Sequence, residues 1–198
     1  MGIRYLNHCL FPKGMLEKVI QYVDQVFGDA GKESNIPHFK RALYWLMQIR
    51  PDADEPTQIA AYAHDLERGL RKEASVERFR TMAFDDPGHL VPHQRRGAET
   101  IREFLQKQDY DPGKTEKVYG LVLHHEEGGD PDADAVMDAD SISFFECNVQ
   151  TFLGLVPKLG KQKIKDKFDY MYDRMAMSEA KQIAEPMYKK ALKCLDET

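Results

Sequence analysis

The chain has 198 residues, 42% hydrophobic and 31% charged, with a formal net charge of −5. That length suits one domain, and the composition is that of a globular chain with a heavily charged surface. The acidic balance speaks against general nucleic-acid binding through a basic face, and no run approaches the ~18 apolar residues a membrane span needs.

Cys9, Cys147 and Cys194 are widely spaced and odd in number. Neither a disulfide framework nor a CxxC zinc site follows from them, and reduced thiols in a cytoplasmic protein are the expectation. No apolar core of a signal peptide follows Met1, and Gly2 lacks the Ser or Thr of a myristoylation motif.

In chain order, Pro12-Lys13-Gly14 reads as a turn into a helix over Met15–Phe27, where Leu16, Val19, Ile20, Val23 and Phe27 keep helical spacing. Gly28-Asp29-Ala30-Gly31 stops it. The next helix starts near Ser34 or Asn35, with Pro37 and His38 in its first turn and Arg41 one turn later. Pro51 ends it. Thr57 is a plausible cap for a helix over Gln58–Arg68, whose Ala60, Ala61 and Ala63 suit a buried central element.

Gly69 is expected to loosen the chain, and residues 70–90 read as a partly helical exposed insertion able to cover a site. Pro92 opens a helix to Leu105 with His93 in its first turn. Further helices are expected over Glu116–His125, Val136–Phe145, Lys161–Met175 and Ser178–Leu195. Strand alternation is scarce, so the fold class is all-α. The chain reads as a single helical domain over 1–198, with its core at about 34–147 and a C-terminal helical extension at about 150–198.

Within these helices Ala61-Tyr62-Ala63-His64-Asp65-Leu66-Glu67-Arg68 puts an imidazole directly beside a carboxylate. His38 precedes it; His93, His124, His125 and Asp140 follow, each at or near a helix end. An antiparallel bundle can gather such ends around one cavity. Neutral imidazole and carboxylate donors suit Zn, Mn, Fe, Co or Ni better than Ca or a thiolate-bound cluster. Asp65 could offer one oxygen to each of two ions.

This order resembles the HD-domain superfamily of metal-dependent phosphohydrolases, from about His38 to Asp140. The Ala-Tyr-Ala-His-Asp run is similar to that family's small-apolar approach to its His-Asp pair. His93-Gln94-Arg95-Arg96-Gly97-Ala98 is similar to its downstream His-x-x-x-Gly-Ala segment, and Leu123-His124-His125-Glu126 and Ala139-Asp140 to later blocks. The resemblance implies an HD-type bundle in which His38, His64, Asp65 and Asp140 hold a first divalent transition metal. His93, with His124 and His125, would complete a second across Asp65. It also implies hydrolysis of a nucleotide or small phosphate ester, with Arg41 and Arg68 as phosphate-holding candidates and Glu67 as a water-orienting or proton-carrying one.

Leu-Glu-Arg after the His-Asp pair disfavours a guanosine tetraphosphate hydrolase, and Glu-Gly-Gly-Asp-Pro after His125-Glu126 disfavours a cyclic-di-GMP phosphodiesterase. Two rivals stand beside the hydrolase: an HD-fold mixed-valence di-iron oxygenase, and a non-catalytic helical sensor that binds a metal or nucleotide. His8 and His89 fit no block and are expected in surface or local hydrogen-bonding roles. Phe39, Tyr44 and Trp45 are expected in the core. The Asp130–Asp134 run is no EF-hand loop, because Ala135 stands where glycine and Ser141 where glutamate would be required. Lys158, Lys161, Lys163, Lys165 and Lys167 are expected to be solvated. The C-terminal region could cap the bundle, line the pocket or make a homodimer.

Overall fold

Apolar stripes at helical spacing and aspartate-capped starts account for most of the architecture. The computed structural model describes residues 14–71, 76 and 79–198, and among these there are helices and turns but no strand. His8, Cys9 and Pro12-Lys13 lie outside the described residues, as do Lys72, Glu73, Glu77 and Arg78 of the expected insertion.

Helix α1 (Met15–Asp29) buries Leu16, Val19, Val23 and Phe27, the stripe read from its spacing. After a 3-10 turn at Glu33–Asn35, α2 (Ile36–Ile49) buries His38 together with Phe39, Leu43 and Leu46. Phe39 is core, but Trp45 is half-buried and Tyr44 exposed.

The helix expected over Gln58–Arg68 is two helices. The first, α3 (Glu55–Ala63), is capped by Asp54, whose carboxylate accepts the Thr57 amide at 3.1 Å and the Thr57 hydroxyl at 2.7 Å. It stops at Ala63. Asp65, at φ −100° and ψ 16°, leaves helical geometry, and the chain resumes as α4 (Leu66–Leu70). Gly69 does not loosen the chain here. A Cβ at that position would stand 2.7 Å from Val26 Cγ1 and 2.9 Å from Phe27 Cε2, so glycine lets α4 lie directly on α1.

Helix α5 (Pro87–Lys107) begins before Pro92, with Asp86 accepting the Gly88 amide at 2.8 Å. Pro92 is tolerated so near the start because its missing N–H withholds a partner from the single carbonyl four residues back, that of Gly88. Asp111 caps α6 (Pro112–Leu123) and Asp130 caps α7 (Pro131–Cys147), each with proline as first helical residue. Asp130 spends its carboxylate on the amides of Asp132 and Ala133, in keeping with a helix start rather than a calcium loop.

Two short helices, α8 (Val149–Leu153) and α9 (Val156–Leu159), lead to α10 (Lys161–Asp173) and α11 (Ser178–Asp196). The central helix is α3. It packs on α1, α2, α6 and α7, and Ile59 to Ala63 are all buried. Helix α2 lies along α7, α5 along α6, and α11 against both α7 and α10. Asp138 of α7 accepts the amides of Ala176 and Met177 at 2.8 and 2.7 Å, which fastens the turn before α11 to the core. No helix among the described residues is long and apolar enough to cross a membrane.

The α1–α4 contact sets an expectation for Gly69→Ala. Overpacking against Val26 and Phe27 should outweigh the helix propensity gained and destabilise the fold by about 1–3 kcal/mol. Denaturant midpoints of the two proteins check it, and an equal or higher midpoint for the variant refutes it.

Candidate metal centre

The break between α3 and α4 aims two neighbouring side chains inward. His64 closes α3 and Asp65 occupies the N-cap position of α4, yet the Asp65 carboxylate makes no capping bond. Both side chains are buried. Around them stand His38 from α2, His93 from α5, His125 from the turn after α6, and Asp140 from α7. Two groups share Asp65: His38, His64 and Asp65, and Asp65, His93 and His125. In each, one donor atom per residue lies within 4.8 Å of the others. These buried groups can hold a metal ion.

The hydrogen bonds on the far side of each imidazole decide what faces inward. His64 Nδ1 lies 2.9 Å from the Ala61 carbonyl and His125 Nδ1 2.7 Å from that of Val122. A carbonyl only accepts, so both rings carry their proton on Nδ1 and present a bare Nε2 in their neutral form. Ser143 donates its hydroxyl to the Asp140 carbonyl at 2.9 Å and so accepts from His38 Nδ1 at 2.8 Å, which turns a bare Nε2 of His38 inward too. His93 gives Nδ1 to Glu67 at 2.8 Å and directs Nε2 at Asp65 Oδ1, 3.0 Å away. Four imidazoles are thereby held by their outer nitrogens, the arrangement that fixes metal-ligating histidines.

The inner atoms are acceptors facing acceptors. His38 Nε2 is 3.2 Å from His64 Nε2, and Asp140 Oδ1 is 3.1 and 3.4 Å from the two. His125 Nε2 is buried without a hydrogen-bond partner among the described residues, with Asp65 Oδ1 at 3.9 Å and Glu126 Oε1 at 3.7 Å. Lone pairs gathered in this way require either protons or a cation between them. The donor set of imidazole nitrogen and carboxylate oxygen fits a divalent transition ion.

The titration behaviour agrees. Burial opposes charge on His64, but the carboxylates of Asp140 and Asp65 prevail and raise its pKa to about 9. Burial likewise opposes charge on His93, and its bonds to Asp65 and Glu67 raise it. Burial pushes His125 down to about 4, so this ring is neutral. Burial would raise Asp65, yet Arg68, His64 and His93 hold it well below the usual carboxylate range.

A family model described as a domain of unknown function, DUF4202, matches residues 24–195. The chain belongs to the DUF4202 family. No curated protein matches it, and no solved structure does. The matched DUF4202 span takes in every residue of the His/Asp group and the helices behind it.

Of the residues expected at the site, this DUF4202 chain assembles His38, His64, Asp65, His93, His125 and Asp140. It leaves out His124. That side chain is exposed, with Nδ1 3.7 Å from Glu127, because the turn after α6 sends adjacent side chains to opposite sides. Arg41 also stands apart. Its guanidinium bonds Glu146 at 2.6 Å and lies over the Tyr44 ring, held to the α2–α7 surface. Arg68 is at the site, 2.9 Å from Asp65 Oδ1.

Glu67 has no free oxygen with which to carry a proton. It accepts from His93, Arg71 and Arg96, and although burial would raise its pKa, these partners keep it far below the usual carboxylate range. Its bond to Nδ1 holds the His93 ring in place. His89 is buried against Phe79 and near the His93 ring instead of lying at the surface.

The sequence left the C-terminal region open between capping the bundle, lining the pocket and making a homodimer, and it did not single out Arg174 or Tyr170. Arg174, one residue past α10, bonds Glu126, donates to Asp140 Oδ2 at 2.5 Å and to Ser141 Oγ at 2.9 Å. Tyr170 donates to Glu126 at 3.1 Å. Lys167, expected in solvent, is buried. The only local signal was apolar: Ile164, Phe168 and Met171 share a face of α10 with Lys167, so the lysine rides on the buried stripe.

Metal uptake by this site should be linked to pH. In the metal-free protein His64 is protonated at neutral pH, because its pKa is raised to about 9. A cation at Nε2 must displace that proton. Manganese(II) affinity should therefore rise with pH up to about 9 and level off above it. Calorimetry at pH ~7.5 in buffers of different ionisation heat should report about one proton or more released per chain. Identical heats after buffer correction, with no proton released, would refute it.

Proposed function

We propose that this chain is a metal-dependent phosphohydrolase of the HD type, acting on a nucleotide or small phosphate ester. The reading is carried by one observation: four imidazoles anchored through Nδ1 turn Nε2 toward Asp65 and Asp140. The order of these residues, which resembles the HD pattern, supports it from the sequence side. A bound divalent ion, or a pair sharing Asp65, would supply Lewis acidity, lowering the pKa of a nearby water and polarising a phosphoryl oxygen.

The chain's own groups would divide the remaining work. His38, His64 and Asp140 would hold one ion and His93 and His125 the other, with Asp65 between them. Glu67 and Ser143 would keep the rings of His93 and His38 in place. Arg174 would keep Asp140 turned so that Oδ1 faces His38 and His64. Arg68, tied to Asp65, lines a cavity of about 380 Å³ whose other walls include Phe27, Phe152, Asn148 and Thr151. That volume suits a small ligand, and the guanidinium would face an anionic group at its inner end.

Elemental analysis of protein purified without chelators tests the reading, paired with a panel of nucleotides and phosphomonoesters. About two transition ions per chain are expected, with phosphate release that falls at least about 100-fold in Asp65→Ala as the ions are lost. A metal-loaded protein that hydrolyses nothing overturns the proposal. Iron together with oxygen consumption would replace it with the di-iron oxygenase, and binding without turnover with the sensor.

A further inference from the structure

Lys167 is the buried charge that the metal centre does not use. Its side chain is 6% exposed, and its ammonium makes no hydrogen bond or ion pair with any of the described residues. Aromatic faces surround it instead. Nζ stands 5.1 Å from the centroid of Tyr170, 5.4 Å from Phe144 and 5.7 Å from Phe84. Such rings attract a cation, but they offer no acceptor for its three N–H donors.

The charges around it are already matched. Among the described residues the four buried carboxylates of the site, Asp65, Glu67, Glu126 and Asp140, are met by the guanidinium groups of Arg68, Arg71, Arg96 and Arg174. Lys167 is therefore a positive charge in excess, and any divalent ion bound at the histidines adds to that excess. A buried ammonium left unpaired costs stability. A negatively charged ligand beside the ammonium would offset that cost.

The surroundings indicate where that ligand lies. Tyr170, which faces Lys167, bonds Glu126, and Glu126 is approached by Arg174 and by Arg68 at 3.9 Å. Phe144, in the same aromatic cage, packs against Phe152, a wall of the cavity that Arg68 lines. Lys167 and Arg68 therefore both stand near Glu126, Lys167 on the side of the C-terminal helices.

We propose that Lys167 is an anion-binding residue of the site, which with Arg68 takes the phosphoryl oxygens of the substrate. This rests on the phosphate-ester reading above and adds to it a specific ligand contact from α10. Burial, and then the neighbouring guanidinium groups of Arg174 and Arg68, outweigh the attraction of Glu126 and lower its pKa to about 8. The ammonium is still the main form at neutral pH, and an arriving dianion would raise that value.

Inorganic phosphate binding to the metal-loaded protein, followed by calorimetry at pH ~7.5, tests the inference with Lys167→Met and Lys167→Arg alongside. Lys167→Met is expected to hold or raise the unfolding midpoint while weakening phosphate at least about tenfold; Lys167→Arg should stay within about threefold of wild type. In wild-type protein carrying ¹³C-labelled lysine, phosphate should shift the Lys167 titration upward, a readout that needs no variant to fold. Phosphate affinity unchanged in Lys167→Met, a Lys167 titration unmoved by phosphate, or no phosphate binding by wild type each overturn the inference. Phosphate binding that depends on Lys167 in a protein that hydrolyses no ester would overturn the proposed reaction while leaving this contact standing.

Discussion

Everything at the centre depends on a two-residue interruption of the helical ladder. Had α3 continued through His64 and Asp65, their side chains would diverge by about 100° around the axis and point to different neighbours. Instead α3 ends, Asp65 adopts non-helical angles, and α4 starts again with the Asp65 carboxylate withheld from capping. An aspartate at such a position ordinarily satisfies the amides of the first turn. Here it is surrendered to His93 and Arg68 at 3.0 and 2.9 Å. The sacrifice is tolerable because α4 is short and lies close against α1, where Gly69 permits contact.

Around that interruption the polar groups form layers with opposed duties. The outer partners of the imidazoles are the carbonyls of Ala61 and Val122, the Ser143 hydroxyl and the Glu67 carboxylate. All accept a hydrogen bond from the Nδ1–H, so the tautomers follow without reference to any ligand. The inner atoms then repel one another unless positive charge stands between them. A buried His125 nitrogen with no hydrogen-bond partner among the described residues is the clearest sign, since folding would otherwise gain nothing by leaving it so.

The C-terminal helices belong to the site as well as to the fold. Asp138 binds the turn between α10 and α11 through two backbone amides. That turn carries Arg174, whose guanidinium spans Glu126 and Asp140 and so joins the α6–α7 turn to α7. A guanidinium only 5% exposed, with two carboxylate partners, is stable only where its donors are met. Lys167, three residues before Tyr170 on the same helix, shares that environment without a comparable partner. The helices beyond Cys147 thus close one wall of the centre with cations.

What the sequence by itself determined was periodicity, punctuation and the identity of the donors. Helical spacing placed α1, α2, α10 and α11 closely, since burying one stripe is a local decision repeated each turn. Alanines around Tyr62 marked α3 as central. His38, His64, Asp65, His93, His125 and Asp140 were legible because imidazole and carboxylate are the donor types that can hold a metal ion, and each sits at or near a helix end. Tertiary structure alone decided the rest. Whether His124 or His125 faces inward depends on the exit angle of a turn, and adjacent residues give no hint of it. The break at His64-Asp65 costs hydrogen bonds that only the surrounding charges repay, so propensity reads straight through it. Arg174 and Lys167 look like solvent-facing cations in their own segment; they become interior ones because α10 packs against α7 across carboxylates more than thirty residues away in sequence.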